Sequence, residues 1–194
     1  RLIKREAEVA FDAVRSYGED LGEEPGEQWR EHRYDASYKQ SPVFEAGVFV
    51  DTMEISAPWS GVEQLYDAVR RALGRHALVM GHFSHVYREG SSIYFTFLGG
   101  GEDTDEALAI YERAWRDALD AAADVGGSIA HHHGVGAEKA PWTGCDHRGG
   151  RSVFHRIKRR LDPDRVMNPG KVYPGVAESA DRTDRIEREG EGEA

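Results

Sequence analysis

Strict alternation over Ile93-Tyr94-Phe95-Thr96-Phe97 restricts this segment to a β-strand with one apolar and one polar face. Ile93, Phe95 and Phe97 mark the core side, while Tyr94 and Thr96 face away from it. Residues 77–87 supply a second strand-like stretch. The two close into a hairpin through a Glu89-Gly90 turn or a four-residue loop from Arg88 to Ser91. Either closure is expected to set His85 opposite Tyr94 and Phe83 opposite Thr96. An earlier strand runs from Val48 to Pro58 through Val48-Phe49-Val50 and Met53-Glu54-Ile55.

Helical periodicity fills the intervals. Ser60 is expected to cap a helix carrying Val62, Leu65, Tyr66, Val69 and Leu73, closed by Gly74. Asp103 or Thr104 opens the clearest helix, with Leu108, Tyr111, Trp115, Leu119 and Ala122 as its buried stripe and Gly126-Gly127 as its stop. Ser128-Ile129-Ala130 then forms a short strand or turn. The order strand-helix-strand-strand-helix-strand predicts an α+β fold, an antiparallel sheet with helices on one face. Outside this block, residues 1–17 read as an amphipathic helix and Glu27 towards Tyr34 as a second. A third spans Arg151 to Leu161, and Met167 to Lys171 makes a turn. Beyond Pro174 the chain is polar and charge-rich, expected to be disordered or a solvated helix.

Composition narrows the function. With 25 Lys and Arg against 35 Asp and Glu, the net charge of −10 disfavours nucleic acid as a partner, because phosphate contacts need clustered bases. No apolar run approaches the roughly 20 residues that span a bilayer. Cys145 is the only cysteine, so no internal disulfide forms, and a cytoplasmic setting is expected. The chain opens without a methionine, in a charged helical stretch, and reads as a piece of something longer.

The chemistry concentrates in His131-His132-His133-Gly134-Val135-Gly136. Three adjacent imidazoles cannot share one face of a regular element, so the backbone there is expected to be irregular. The glycines permit positive φ and close approach to a ligand. Cys145-Asp146-His147 lies close by, but its spacing does not supply a zinc module, and no metal is assigned. Tyr94 is either an ordinary cross-strand aromatic or a phenolic acid/base with His85 as its neighbour. Lys39, Lys139 and Lys171 are candidates to neutralise a phosphate or carboxylate. No phosphate-binding loop or dinucleotide glycine fingerprint is present, so a nucleotide cofactor would be bound mostly outside this chain.

Leu161-Asp162-Pro163 followed by Met167-Asn168-Pro169-Gly170-Lys171 resembles the C-terminal signature of FAD-linked oxidases of the vanillyl-alcohol-oxidase type. The histidine triplet, Glu54-Ile55-Ser56-Ala57-Pro58-Trp59, and Tyr87 with Ile93 to Phe97 are similar to the alkylglycerone-phosphate synthase branch of that family. The resemblance implies a ferredoxin-like, substrate-binding cap over residues 1–145 and a segment, 146–174, that returns to an N-terminal FAD domain outside this chain. The polar tail is 175–194.

It further implies Tyr94 as acid/base, His131, His132 and His133 as required for activity, and Asn168 and Lys171 as cofactor-binding. His85 and Lys39 are assigned to substrate. Where the synthases place a substrate-phosphate arginine this chain has Gln40, with Lys39 beside it, and Pro169-Gly170 follows the broader oxidase pattern. The implied reaction exchanges an acyl for an alkyl group on a glycerone phosphate, using FAD without net redox change. The alternative is FAD-linked dehydrogenation of a 2-hydroxy acid such as D-lactate or glycolate. A third reading is a non-catalytic module with a metal-binding histidine loop. A lipid-phosphate or other small-molecule substrate, a homodimer and peripheral membrane contact complete the expectations.

Overall fold

The computed structural model describes residues 2–147 and 149–173, with the backbone alone over 36–40. The chain divides into two compact units, Arg1–Pro42 and Val43–Ala194. The first holds helices α1 (Leu2–Val14) and α2 (Glu24–His32), neither of which buries a residue. Helix α2 has Pro25 in its first turn together with Glu24 and Glu27, and Arg30 and His32 in its last, an arrangement that suits the helix dipole. Helix α3 (Ala36–Glu45) contains Pro42 and was not expected from periodicity.

The second unit carries the sheet. Strands β1 (Val48–Pro58), β2 (Leu78–Ser84) and β3 (Gly90–Gly100) are antiparallel in the order β1-β3-β2. Helix α4 (Val62–Leu73) joins β1 to β2, and α5 (Thr104–Asp124) follows β3. After α5 the chain returns to β1, but the expected fourth strand shrinks to one antiparallel bridge, Ser56 to Ser128. The α+β architecture and the bounds of β1 are as expected. Met53, Ile55, Ile93, Phe95 and Phe97 from the sheet meet Leu65, Val69 and Leu73 of α4 and Trp115 and Leu119 of α5 in one core.

The hairpin register differs from the sequence-based expectation. Phe83 pairs with Ile93 and His82 with Tyr94. An odd slip in register moves every side chain to the opposite face. The observed pairing sends Phe83 to the core side, where its ring lies 5.5 Å from Tyr66, instead of leaving it beside Tyr94. Close approach also favours this register: a Cβ on Gly81 would come within 2.7 Å of the Tyr66 ring. His85 leaves the strand altogether, at φ 49°, in the connection to β3.

Two helix details also depart from expectation. Ser60 does not cap α4; Gly61 occupies that position without a side-chain bond. Asp103 does cap α5, its Oδ1 accepting the Glu106 N–H at 2.8 Å. Leu108, placed in the buried stripe by its spacing, is 53 % exposed. The stripe begins one turn later with Tyr111, which donates its hydroxyl to Asp51 Oδ2 at 2.6 Å. Trp115 Nε1 donates to the same oxygen at 3.2 Å.

The remaining elements are a 3₁₀ turn (Ala140–Trp142), α6 (Thr143–His147) and α7 (Gly150–Leu161). Asp162 terminates α7 and folds the following turn, accepting the N–H groups of Val166 and Met167 and the Lys158 ammonium. The expected polar tail, 175–194, lies outside the described residues. Among the described residues no helix is long and apolar enough to cross a membrane.

Truncating Phe95 to alanine is expected to cost about 3–5 kcal/mol in urea unfolding. Leu108→Ala should cost under about 1 kcal/mol, because that side chain is already in water.

Candidate active site

Alternation along β1 puts Met53 and Ile55 in the core and Glu54 on the opposite face of the sheet. The registers then align Glu54, Tyr94 and His82 in one row across the three strands. A carboxylate in mid-sheet would ordinarily stay hydrated, yet Glu54 is fully buried. The histidine loop covers it and supplies its partners. His131 Nδ1–H donates to Glu54 Oε1 at 3.1 Å, and the His132 backbone N–H donates to Oε2 at 3.3 Å. His132 Nε2 and His133 Nε2 lie 3.6 and 3.7 Å from the two carboxylate oxygens.

The balance of these forces decides the charge on Glu54. Burial pushes its pKa up, but the His132 amide, the Tyr94 hydroxyl, the His131 side chain and the charge of His133 together hold it below the ordinary value. Tyr94 moves the other way. Burial and then the adjacent Glu54 carboxylate raise its pKa, so the phenol keeps its proton at neutral pH and serves as a donor. Its Oη lies 3.1 Å from His132 Nε2.

Aromatic packing fixes the imidazoles. The ring centroid of His85 lies 4.4 Å from that of His132 and 5.9 Å from that of Tyr94, and His133 sits 5.1 Å from Tyr94. Tyr94, His85 and the histidine triplet therefore share one hollow. His85 reaches Tyr94 from the β2–β3 connection and not as its strand partner. Among the described residues, His85 is one of four non-glycine residues with positive φ, along with Arg165, Asn168 and Val172. Such backbone conformations cost on the order of 1–3 kcal/mol each and persist only where surrounding contacts impose them.

Lys139 does not serve as a free anion-binding group. It is buried, and its Nζ donates to the backbone oxygen of Glu54 at 2.9 Å. Burial lowers its pKa, and the charges of Glu54, Asp146 and Asp51 oppose that shift. It pins the loop to β1. Asp146 makes a second pin, its Oδ2 accepting from Ser128 Oγ at 2.9 Å and Ile129 N–H at 3.2 Å. Gly134 and Gly136, at φ 80° and 55°, give the loop its reversal after the histidines.

The C-terminal turn reaches this loop through its last residues. Val172 N–H donates to the Gly136 oxygen at 3.3 Å, and Thr143 Oγ1 donates to the Val172 oxygen at 2.7 Å. Asn168 and Lys171 are exposed, and among the described residues no hydrogen bond joins either side chain to the histidine–tyrosine cluster. A cavity of about 540 Å3, lined by His131, Gly134, Gly136, Asp146, His147 and Val172, separates turn from loop. A second, of about 520 Å3, lies between His131, Tyr87, Ser56 and Cys145. The side chain of Lys39 lies outside the described residues.

In the sequence Glu54 stands only as one member of Met53-Glu54-Ile55 and of the stretch from Glu54 to Trp59. The available signal was a lone carboxylate between two core residues of a strand. Its meaning depends on the register with Tyr94, which the strand's own residues do not reveal.

The sequence profile of the FAD linked oxidases, C-terminal domain, matches residues 4–172. The chain belongs to that family. It is 32 % identical over 162 residues to an alkyldihydroxyacetonephosphate synthase of Trypanosoma brucei brucei, covering 79 % of this chain and 26 % of the relative. The synthase of Dictyostelium discoideum is 31 % identical over 166 residues, covering 81 % and 27 %. The chain thus spans about a quarter of the length of these relatives. A solved structure of an alkyldihydroxyacetonephosphate synthase superposes with a TM-score of 0.53 at 21 % identity, over 86 % of this chain and 28 % of the other. At that identity the likeness concerns the fold.

The depressed pKa of Glu54 sets a direction for stability. Its contribution is complete above the ordinary carboxyl value near 4.5 and is lost as pH falls through the lower, folded-state value. Glu54→Gln is therefore expected to flatten the acid limb of the unfolding free energy between about pH 6 and pH 3, relative to the unsubstituted protein. An unchanged limb in the difference curve would mean that Glu54 does not carry its charge in the folded state.

Proposed function

We propose that this chain is the substrate-binding and proton-handling portion of an FAD-dependent enzyme of the alkyldihydroxyacetonephosphate synthase type. The reaction exchanges the acyl group of an acylated glycerone phosphate for a fatty alcohol. The observation that carries the reading is the Tyr94 phenol at 3.1 Å from His132 Nε2, above a buried and ionised Glu54. That arrangement pairs an acid with a base and provides a counter-charge for the imidazole that takes up a proton.

The residues divide the work by chemistry. His131 donates its Nδ1–H to Glu54, which leaves Nε2 of the neutral ring as the acceptor for a proton beside the substrate ketone. Glu54 favours the imidazolium so formed, at a fixed position and without solvent reorganisation. Tyr94, kept protonated, donates its proton to the leaving carboxylate oxygen and recovers one from the hydroxyl of the entering alcohol, with His132 as the relay. His133, close to both Tyr94 and Glu54, stabilises negative charge on the substrate oxygen.

The donors around the loop, imidazole N–H, phenol O–H, the Asn168 amide and the Lys171 ammonium, suit the acceptor-rich rim of a flavin. No glycine-rich cradle for a pyrophosphate occurs among the described residues. FAD would therefore meet this chain at its ring end and be held elsewhere by an N-terminal domain. Bound flavin supplies an electron sink that activates the substrate carbon and is restored at the end of the cycle. In this reading residues 146–174 face the FAD domain, Asn168 and Lys171 approach the cofactor, and Lys39 binds the substrate phosphate as a point charge. Homodimer assembly and peripheral membrane contact suit a lipid-phosphate substrate.

The test uses the full-length enzyme. Labelled hexadecanol should be incorporated into a glycerone phosphate while the flavin remains oxidised overall. Tyr94→Phe should reduce turnover by at least about 100-fold, in line with loss of a positioned acid. The thermal midpoint should move little, since the substitution removes about 1 kcal/mol of hydrogen bonding from a partly exposed ring. Anaerobic bleaching of the flavin by D-lactate or glycolate, with no alcohol incorporation, would replace this reading with dehydrogenation of a 2-hydroxy acid.

A further inference from the structure

We propose that Glu54, His85, His131 and His132 form a binding site for a divalent transition-metal ion of the zinc type. Each residue offers one ligand atom, and the four atoms lie within 4.8 Å of one another. Three imidazoles and a carboxylate are a borderline donor set that suits zinc, cobalt, nickel or copper and not the hard, oxygen-seeking cations. The ligands come from three separate places: β1, the β2–β3 connection and the loop after α5. Tetrahedral ligation at bonds of about 2.0–2.1 Å would set these atoms about 3.3 Å apart.

The surroundings support ligation as well as the ligands do. His85 Nδ1 lies 3.1 Å from Ser84 Oγ and 3.4 Å from Ser92 Oγ. Ser92 Oγ donates its own proton to the Ser84 oxygen at 3.0 Å, so it is available to accept from the imidazole. A proton kept on Nδ1 frees Nε2 for a metal, and outer partners of this kind orient ligating histidines. His85 has a left-handed backbone, and its ring packs edge-on against that of His132. Glu54, fully buried, brings one negative charge to the floor of the site. The site is argued from these positions alone and does not depend on the exchange reaction proposed above. His132 now sits within hydrogen-bond distance of Tyr94, so metal and phenol compete for that imidazole.

The experiment reads binding directly. Full-length protein, prepared without a histidine tag and stripped with EDTA, is titrated calorimetrically with zinc chloride, and retained zinc is measured after dialysis. One ion per chain is expected, with a Kd of about 1 µM or tighter. His85→Ala and His131→Ala should each weaken binding by about tenfold or more, whereas Tyr94→Phe should retain it. His85 is exposed, so its variant tests the site without threatening the fold, and circular dichroism checks both variants. The proposal is overturned if no saturable uptake occurs at about 100 µM zinc, or if stoichiometric uptake survives both histidine substitutions.

Discussion

A buried carboxylate joins the sheet to the histidine loop. Glu54 accepts from His131 and from the backbone of His132, while Lys139 grips the Glu54 carbonyl from the same loop. Without that charge, three consecutive imidazoles would have little reason to fold down onto an apolar-edged sheet. With it, each ring acquires a defined distance from one oxygen or the other. The carboxylate in turn remains ionised only because the loop supplies donors that outweigh its burial. Loop and carboxylate thus require one another.

The same pairing separates structural work from chemical work on the two faces of the sheet. On the helix side, Asp51 binds Tyr111 and Trp115 and completes the core around Phe97. On the other side, three residues further along β1, Glu54 meets Tyr94 and the histidines. One strand carries both acids, and alternation assigns them different tasks. Burial on one face holds the strands rigid enough for hydrogen-bond distances on the other to be maintained, which is the general condition for preorganised acid–base chemistry.

Much of the scaffold was legible in short-range patterns. The bounds of β1, the Asp103 cap, the stripe from Tyr111 to Ala122 and the helix ending before Pro163 all follow from periodicity and capping. The hairpin pairing did not, because alternation defines the two faces of a strand and leaves its register open. Packing Phe83 and Gly81 against Tyr66 settled that. Leu108 shows the opposite limit: it has the right spacing for the core, but α5 meets the sheet only from Tyr111 onwards.

For the site, the residue types and the glycine reversal were visible in the sequence alone, as was the family signature around Asn168. These are properties of neighbours within a few positions, where covalent geometry and side-chain chemistry suffice. That His131 reaches an acid 77 residues away, that Lys139 becomes a pin, and that His85 and not His82 completes the cluster were decided by tertiary structure. The physical reason is that burial creates both the need and the means: a charge removed from water must find its partners in whatever segment the fold lays over it.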